Sequence, residues 1–234
     1  MQIIALTLVL SASVGCGDDS PSSSVSQADV ATQAGQPPPP PADIDVEMPT
    51  LPQGDALEVD PSGSKIEFTG AKLTGSHDGG FSGFTGTVIQ QEDEVLGTQF
   101  VIDLTTTSTD HPKVTKHLLS KDFFHVERHP SATFVSSELV AATESGAVTH
   151  NVKGVLALNG KTRPLSFPAT IILGEAATTV EASFDINRQN WGVSYPGKPD
   201  NLIKDDVQVR LSLSFPTGAQ RNEPDEKAAE PAAE

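Results

Sequence analysis

The feature that most constrains this chain is alternation at period two. Val207, Val209, Leu211, Leu213 and Phe215 alternate with Gln208, Arg210, Ser212 and Ser214. Val180, Ala182, Phe184 and Ile186 alternate with Glu181, Ser183 and Asp185. Phe100, Ile102 and Leu104 alternate with Val101 and Asp103, and Ile66 and Phe68 with Lys65 and Glu67. Successive side chains of a strand point to opposite faces, so each stretch has one apolar and one wetter face. That is the pattern of antiparallel sheets with one solvated side.

The turns agree with this reading. Asn159-Gly160 separates two strand-like runs and predicts a type I′ hairpin. The glycines around Phe81 and Phe84 predict bulges or sharp coiling in a long strand. One stretch departs from the pattern. From Lys113 to His125 the apolar residues are spaced for one or two short helical turns, with Ser120 placed to cap the second. About eight strands and one helical connection in ~160 residues predict a mainly β barrel, which removes exposed sheet edges and holds one small ligand.

The aromatic residues set the domain limits. All ten Phe, Trp191 and Tyr195 lie between Phe68 and Phe215. The domain is therefore expected at 57–217, where 19 acids face 13 bases. Residues 1–56 contain seven acids and no Lys or Arg. Within them, 1–15 read as a secretory signal, with an apolar run Ile3 to Leu10 and small residues after it. Ser13-Val14-Gly15-Cys16 resembles a bacterial lipobox, whose cysteine is acylated after cleavage. Two or three acyl chains anchor a protein stably. An ordinary cleaved signal, leaving a soluble secreted protein, is the other reading. Residues 16–56, with five prolines from Pro37 to Pro41, are expected to be a disordered, partly polyproline tether. Residues 218–234 are expected to be a disordered acidic tail.

Charge and motifs narrow the function. A net charge of −16 and a pI near 4.6 argue against nucleic-acid binding. One cysteine excludes a disulfide framework and a Cys-rich zinc module. No apolar run reaches the ~18 residues that cross a bilayer as a helix. Gly-x-Ser-x-Gly and phosphate-cradling loops are absent, and Gly75-Ser76-His77-Asp78 reads as a glycine-flanked loop. Glu92-Asp93-Glu94 reads as a solvated turn. His125 and His129 are four apart, and His117 lies eight before His125. A metal site there is the weakest reading, because Pro130 ends the helical spacing and His-Glu-x-x-His is absent. His77, His111 and His150 read as surface or hairpin residues.

Several motifs in order resemble the YceI-like domain family. They are Leu57-Glu-Val-Asp60 with Ser64 to Phe68, then Gly80-Phe-Ser-Gly-Phe-Thr-Gly86. The most specific is His117-Leu-Leu-Ser-Lys-Asp-Phe-Phe-His-Val126 with Pro130 and Thr133-Phe134; there His125 replaces an Asp of the family's pattern. Val152 to Pro164 and Asn187-Arg188 with Trp191-Gly192 complete the series. The resemblance implies a lipocalin-like extended antiparallel β-barrel with a lipid-binding interior. It also implies a periplasmic or secreted location and a polyisoprenoid, quinone or other amphiphilic ligand, with no enzymatic activity and no cofactor.

By pattern, Phe81, Phe84, Phe100, Phe124, Phe134, Phe184 and Trp191 are the candidates to line the interior. Arg188 is placed to meet a polar or phosphorylated head group, or else to pair with a carboxylate such as Asp122. The competing account is a structural module with a filled barrel that meets a protein partner, and a homodimer fits either account. Interior volume separates the two: an open apolar channel favours a carrier and a packed interior a scaffold.

Overall fold

The computed structural model describes residues 46–142 and 147–218, all within the unit Pro39–Glu234. The signal expected at 1–15, Cys16, the expected tether as far as 45 and nearly all of the expected tail lie outside the described residues.

Thirteen strands are present among the described residues. They are β1 (Asp55–Glu58), β2 (Lys65–Lys72), β3 (Gly75–Phe81), β4 (Phe84–Gln91), β5 (Glu94–Asp103) and β6 (Thr107–Thr109). Helix α1 (Pro112–Leu119) follows. Then come β7 (Ser131–Ala141), β8 (His150–Leu158), β9 (Lys161–Leu173), β10 (Ala177–Asn187), β11 (Gly197–Lys198), β12 (Asn201–Leu202) and β13 (Asp206–Pro216). Eleven of them form one antiparallel sheet in the order β1-β4-β5-β7-β8-β9-β10-β13-β2-β3-β6, and β11 and β12 pair separately. The count exceeds the expected eight because β1, β6, β11 and β12 are too short to show alternation and β3 begins in the glycine-flanked stretch read as a loop.

The alternation of separate strands meets in register. Val180, Ala182, Phe184 and Ile186 of β10 face Leu213, Leu211, Val209 and Val207 of β13. Val209 and Leu211 in turn face Phe68 and Ile66 of β2. Three apolar stripes therefore become one apolar wall. A slip of one residue would turn every one of these side chains to water.

The sheet curls until its two halves meet. Val59, just past β1, donates its N–H to the Gly86 carbonyl of β4, and Asp60 donates to Ser214 of β13, each at 2.8 Å. Across the interior the rings of Phe100 and Phe215 are 6.1 Å apart. The described strands form no continuous ladder around the curl, since the pairing order has ends at β1 and β6.

Local details refine the sequence reading. Asn159 and Gly160 have φ of 51° and 72°, as a type I′ turn requires. The glycines near Phe81 and Phe84 do not make bulges: register runs unbroken through Gly79, Gly80 and Gly86. Irregularities fall instead at Ile89/Gln90 and Ser136/Glu138. The glycines are seats for rings. A Cβ on Gly79 would lie 2.5 Å from the Phe68 ring, and one on Gly154 equally near Phe134. Gly75 to Asp78 form the start of β3 rather than a loop.

The chain meets the sheet ahead of 57. Val46 donates to the Thr162 carbonyl at 3.3 Å, and β1 begins at Asp55. Gly97 has no side chain, and Pro52 fills that space. Among the described residues no helix is long and apolar enough to cross a membrane.

Candidate ligand cavity

The curled sheet and α1 enclose a cavity of about 760 Å³. This lies within the ~300–1,000 Å³ of sites that take small organic ligands. Five of the seven aromatic candidates line it: Phe81, Phe100, Phe124, Phe134 and Phe184. Phe84 and Trp191 do not. Phe84 is 7% exposed and packs in the surrounding core. Trp191 is 1% exposed, and its indole N–H donates to the Leu156 carbonyl at 2.9 Å. Its bulk holds the short 3-10 turn Arg188–Trp191 against the sheet.

Residues outside the candidate set complete the wall. Phe167 stacks on Phe184 with ring centroids 4.2 Å apart and planes 11° from parallel. Phe68 lies 5.4 Å from Phe81, and Phe81 lies 6.2 Å from Phe124. Phe68 was legible from its alternation with Glu67. Phe167 sits between Ser166 and Pro168, and nothing in that short context marked it as a wall residue.

Helix α1 reaches the cavity through its position beside β6. His111 is its N-cap, and its Nδ1 accepts the Lys113 N–H at 3.2 Å. Pro112 occupies the first turn, where a missing N–H costs nothing. Ser120 closes the helix. Its hydroxyl donates to the His117 carbonyl at 2.7 Å and accepts the Asp122 N–H at 3.3 Å. The turn after it brings Phe123 and Phe124 over the cavity.

Arg188 lines the cavity, but its donors are committed to the protein. Nε donates to the Lys204 carbonyl at 3.1 Å and Nη1 to Val193 at 2.6 Å. Nη2 contacts the Ile203 carbonyl at 3.4 Å and the Asp205 carboxylate at 2.8 Å. Burial holds this guanidinium below its usual pKa, while the Asp205 charge opposes the shift. The carboxylate partner is thus Asp205 rather than Asp122. Asp122 instead bonds His117 at 3.1 Å, because the turn after α1 folds back on the helix.

The histidines do not converge on one point. His117 packs edge-on against Phe123 and Tyr195 at 4.9 and 4.7 Å, while His125 meets His129 edge-on at 5.9 Å. Among the described residues no group of three His, Cys, Asp or Glu stands together in a metal-binding arrangement. His111 is exposed and His77 half-buried, as expected of surface residues, and both also border the cavity. Their rings are 6.4 Å apart, brought together by the β3–β6 pairing and by α1 directly after β6.

The sequence pattern of the YceI-like domain family matches residues 57–215. A UPF0312 protein of Pseudomonas putida (strain W619) is 30% identical over 139 residues, spanning 56% of this chain and 71% of the relative. BcnA of Burkholderia cenocepacia has a similar structure, with a TM-score of 0.61 and 26% identity over 67% of this chain and 98% of that one. A polyisoprenoid binding domain from Saccharophagus degradans, implicated in plant cell wall breakdown, has a TM-score of 0.54 at 17% identity, covering 68% of this chain and 97% of that one.

Proposed function

The chain belongs to the YceI-like domain family, and from that premise we propose that its cavity binds a long apolar or amphiphilic chain of the polyisoprenoid or isoprenoid-quinone class without catalysis. The observation that carries this reading is the cavity itself, about 760 Å³ and walled by phenylalanines and aliphatic side chains. Apolar surface gains about 25 cal/mol per Å² on leaving water, so a flexible chain enclosed along its length needs no covalent chemistry to be held. The structural neighbour from Saccharophagus degradans, described as polyisoprenoid binding, supports the same ligand class.

The domain acts as a carrier or reservoir in the bacterial cell envelope, exported by the leader and tethered through acylated Cys16. Metabolic labelling with a fatty acid, comparing the chain with its Cys16→Ser variant, tests the anchor. Label retained by the variant counts against it.

Native mass spectrometry of the exported chain, followed by lipid identification, tests the ligand. The expected result is a discrete adduct of isoprenoid mass. A clean apo mass that stays apo when isoprenoid lipids are offered would return the domain to a scaffold role.

A further inference from the structure

Two leucines stand in water side by side. Leu73, in the turn between β2 and β3, is 67% exposed, and Leu202 of β12 is 47% exposed. An antiparallel bridge joins Lys72 to Ile203, which sets Leu73 opposite Leu202. The Leu73 N–H donates to the Leu202 carbonyl at 3.2 Å, and the Lys204 N–H to the Ala71 carbonyl at 2.8 Å. The Thr74 N–H donates to Asn201 Oδ1 at 3.3 Å. Residues directly opposite on a ladder share one face. The turn and β12 therefore hold a fixed apolar pair, unlike apolar side chains scattered singly over a surface.

The pair adjoins the cavity without belonging to it. Lys72, Lys198 and Ile203 line the cavity, and neither leucine does. His111, Lys113 and Lys198 are exposed as well as lining it, so the cavity meets water at this end. The chain enters the domain at the same end. Val46 bonds Thr162 at the start of β9. The antiparallel ladders put that start at the level of the end of β10, the start of β13 and the end of β2. Ile172, 57% exposed, lies at the opposite end, where β9 finishes and β10 begins.

The surroundings of the pair select its partner. The segments 70–75 and 195–204 hold Lys72, Lys198 and Lys204 against one carboxylate, Asp200, in a chain of net charge −16. An anionic lipid surface attracts lysines spread over such a face and needs no single point where they converge. Exposed leucines beside them supply the apolar contact of an interfacial anchor.

We propose that Leu73 and Leu202 form a tip that inserts into the headgroup region of a lipid bilayer, and that the docked cavity exchanges its apolar chain with that bilayer directly. The inference rests on the apolar-chain reading above and adds to it the surface from which the chain is loaded. Direct exchange spares the apolar chain a passage through water, which is the costly step for such a ligand.

The test uses the full chain carrying Cys16→Ser, which removes the acyl anchor and leaves no other cysteine. Leu73→Cys or Ile172→Cys is added and labelled with the environment-sensitive dye NBD. On vesicles of phosphatidylethanolamine and phosphatidylglycerol, the label at 73 is expected to shift to the blue and to be shielded from iodide, while the label at 172 stays in water. Adding Leu202→Ser is expected to weaken the shielding at 73, which attachment by the leader alone would not show. Transfer of a fluorescent farnesyl probe from the unlabelled chain to the vesicles is expected to quicken in proportion to vesicle concentration. In Leu73→Ser/Leu202→Ser the transfer is expected to slow about tenfold or more with the probe's affinity unchanged, which also reports that the variant folds. Equal shielding at 73 and 172, a transfer rate independent of vesicle concentration, or parental transfer by the double variant overturns the docking tip and leaves the apolar-chain reading standing. A blue shift at 73 that grows with protein concentration in the absence of vesicles overturns it in favour of a contact between copies of the chain. Failure of the parent chain to take the probe counts against the apolar-chain reading, and the label at 73 then decides the docking on its own.

Discussion

Gly86 faces Phe100 across the β4–β5 ladder, and the phenyl ring occupies the space where a side chain on the glycine would begin. The ring can lie flat along the wall only because β4 offers no Cβ there. Gly86→Ala is expected to destabilise the fold by about 1–3 kcal/mol through overpacking. Gly70, with no atom within 4 Å of its would-be Cβ, is the control. Gly70→Ala is expected to be neutral or stabilising by up to about 1 kcal/mol, since alanine reduces the freedom of the unfolded chain. Urea midpoints of the two variants check the contrast, and equal losses would contradict it.

Arg188 ties three backbone carbonyls and Asp205 into one knot. Removing the guanidinium strands the buried Val193 carbonyl and the part-buried carbonyls of Ile203 and Lys204, whereas removing Asp205, whose side chain is half exposed, leaves an arginine that keeps its other bonds. Arg188→Ala is therefore expected to cost about 3–5 kcal/mol and Asp205→Ala about 1–3 kcal/mol. The order of the two, measured by chemical denaturation, is the informative quantity. Asp122→Ala should not reproduce either loss.

Phe84 and Trp191 support the wall from behind, while Phe124 and Phe184 form its surface. Phe84→Ala and Trp191→Ala are expected to lower stability by about 3–5 kcal/mol. Leu165→Trp, a cavity-lining position, is expected to reduce apolar-probe affinity about tenfold or more by filling space, with the fold retained. Probe titration alongside thermal unfolding separates the two classes.

Asp60 accepts hydrogen bonds from the Ser62 hydroxyl at 2.7 Å and the Ser62 N–H at 2.9 Å. These bonds, the hydroxyl's first, hold its carboxyl below the ordinary aspartate range. A folded-state pKa below the unfolded one gives stability that is present above the unfolded value. It is lost as pH falls through the folded value. Asp60→Asn is expected to flatten the loss of stability below about pH 4 and to leave the slope near neutrality unchanged. Denaturation midpoints from about pH 5 to about pH 2 provide the check, and parallel acid limbs would count against it.

Much of the fold was legible because its cause is local. The side-chain period of a strand is a property of a few consecutive residues, so Val207 to Phe215 and Val180 to Ile186 announced their faces without any partner. Asn159-Gly160 announced its turn by the same logic, since positive φ at two adjacent residues is a local demand. The motif series was legible for a further reason: Gly86, Gly154 and the His117–Val126 block are residue choices that ring seating and helix capping impose.

The site was less legible because a cavity is not a local property. Phe84 and Phe124 are the same residue type and both were candidates for the wall, yet the fold puts one in close packing and the other beside open space. His77 and His111 are 34 positions apart in sequence, and only the β3–β6 pairing and the α1 cap bring their rings to 6.4 Å. Asp205 rather than Asp122 meets Arg188 because the 193–205 segment wraps the guanidinium with its carbonyls. Sequence alone determined the inward face of the regularly alternating strands, since that follows from a repeat of two residues along a strand. The tertiary structure decided which of them meet a neighbour, which meet a void and which carboxylate pairs with Arg188, because those depend on segments distant in sequence and on the curvature that joins them.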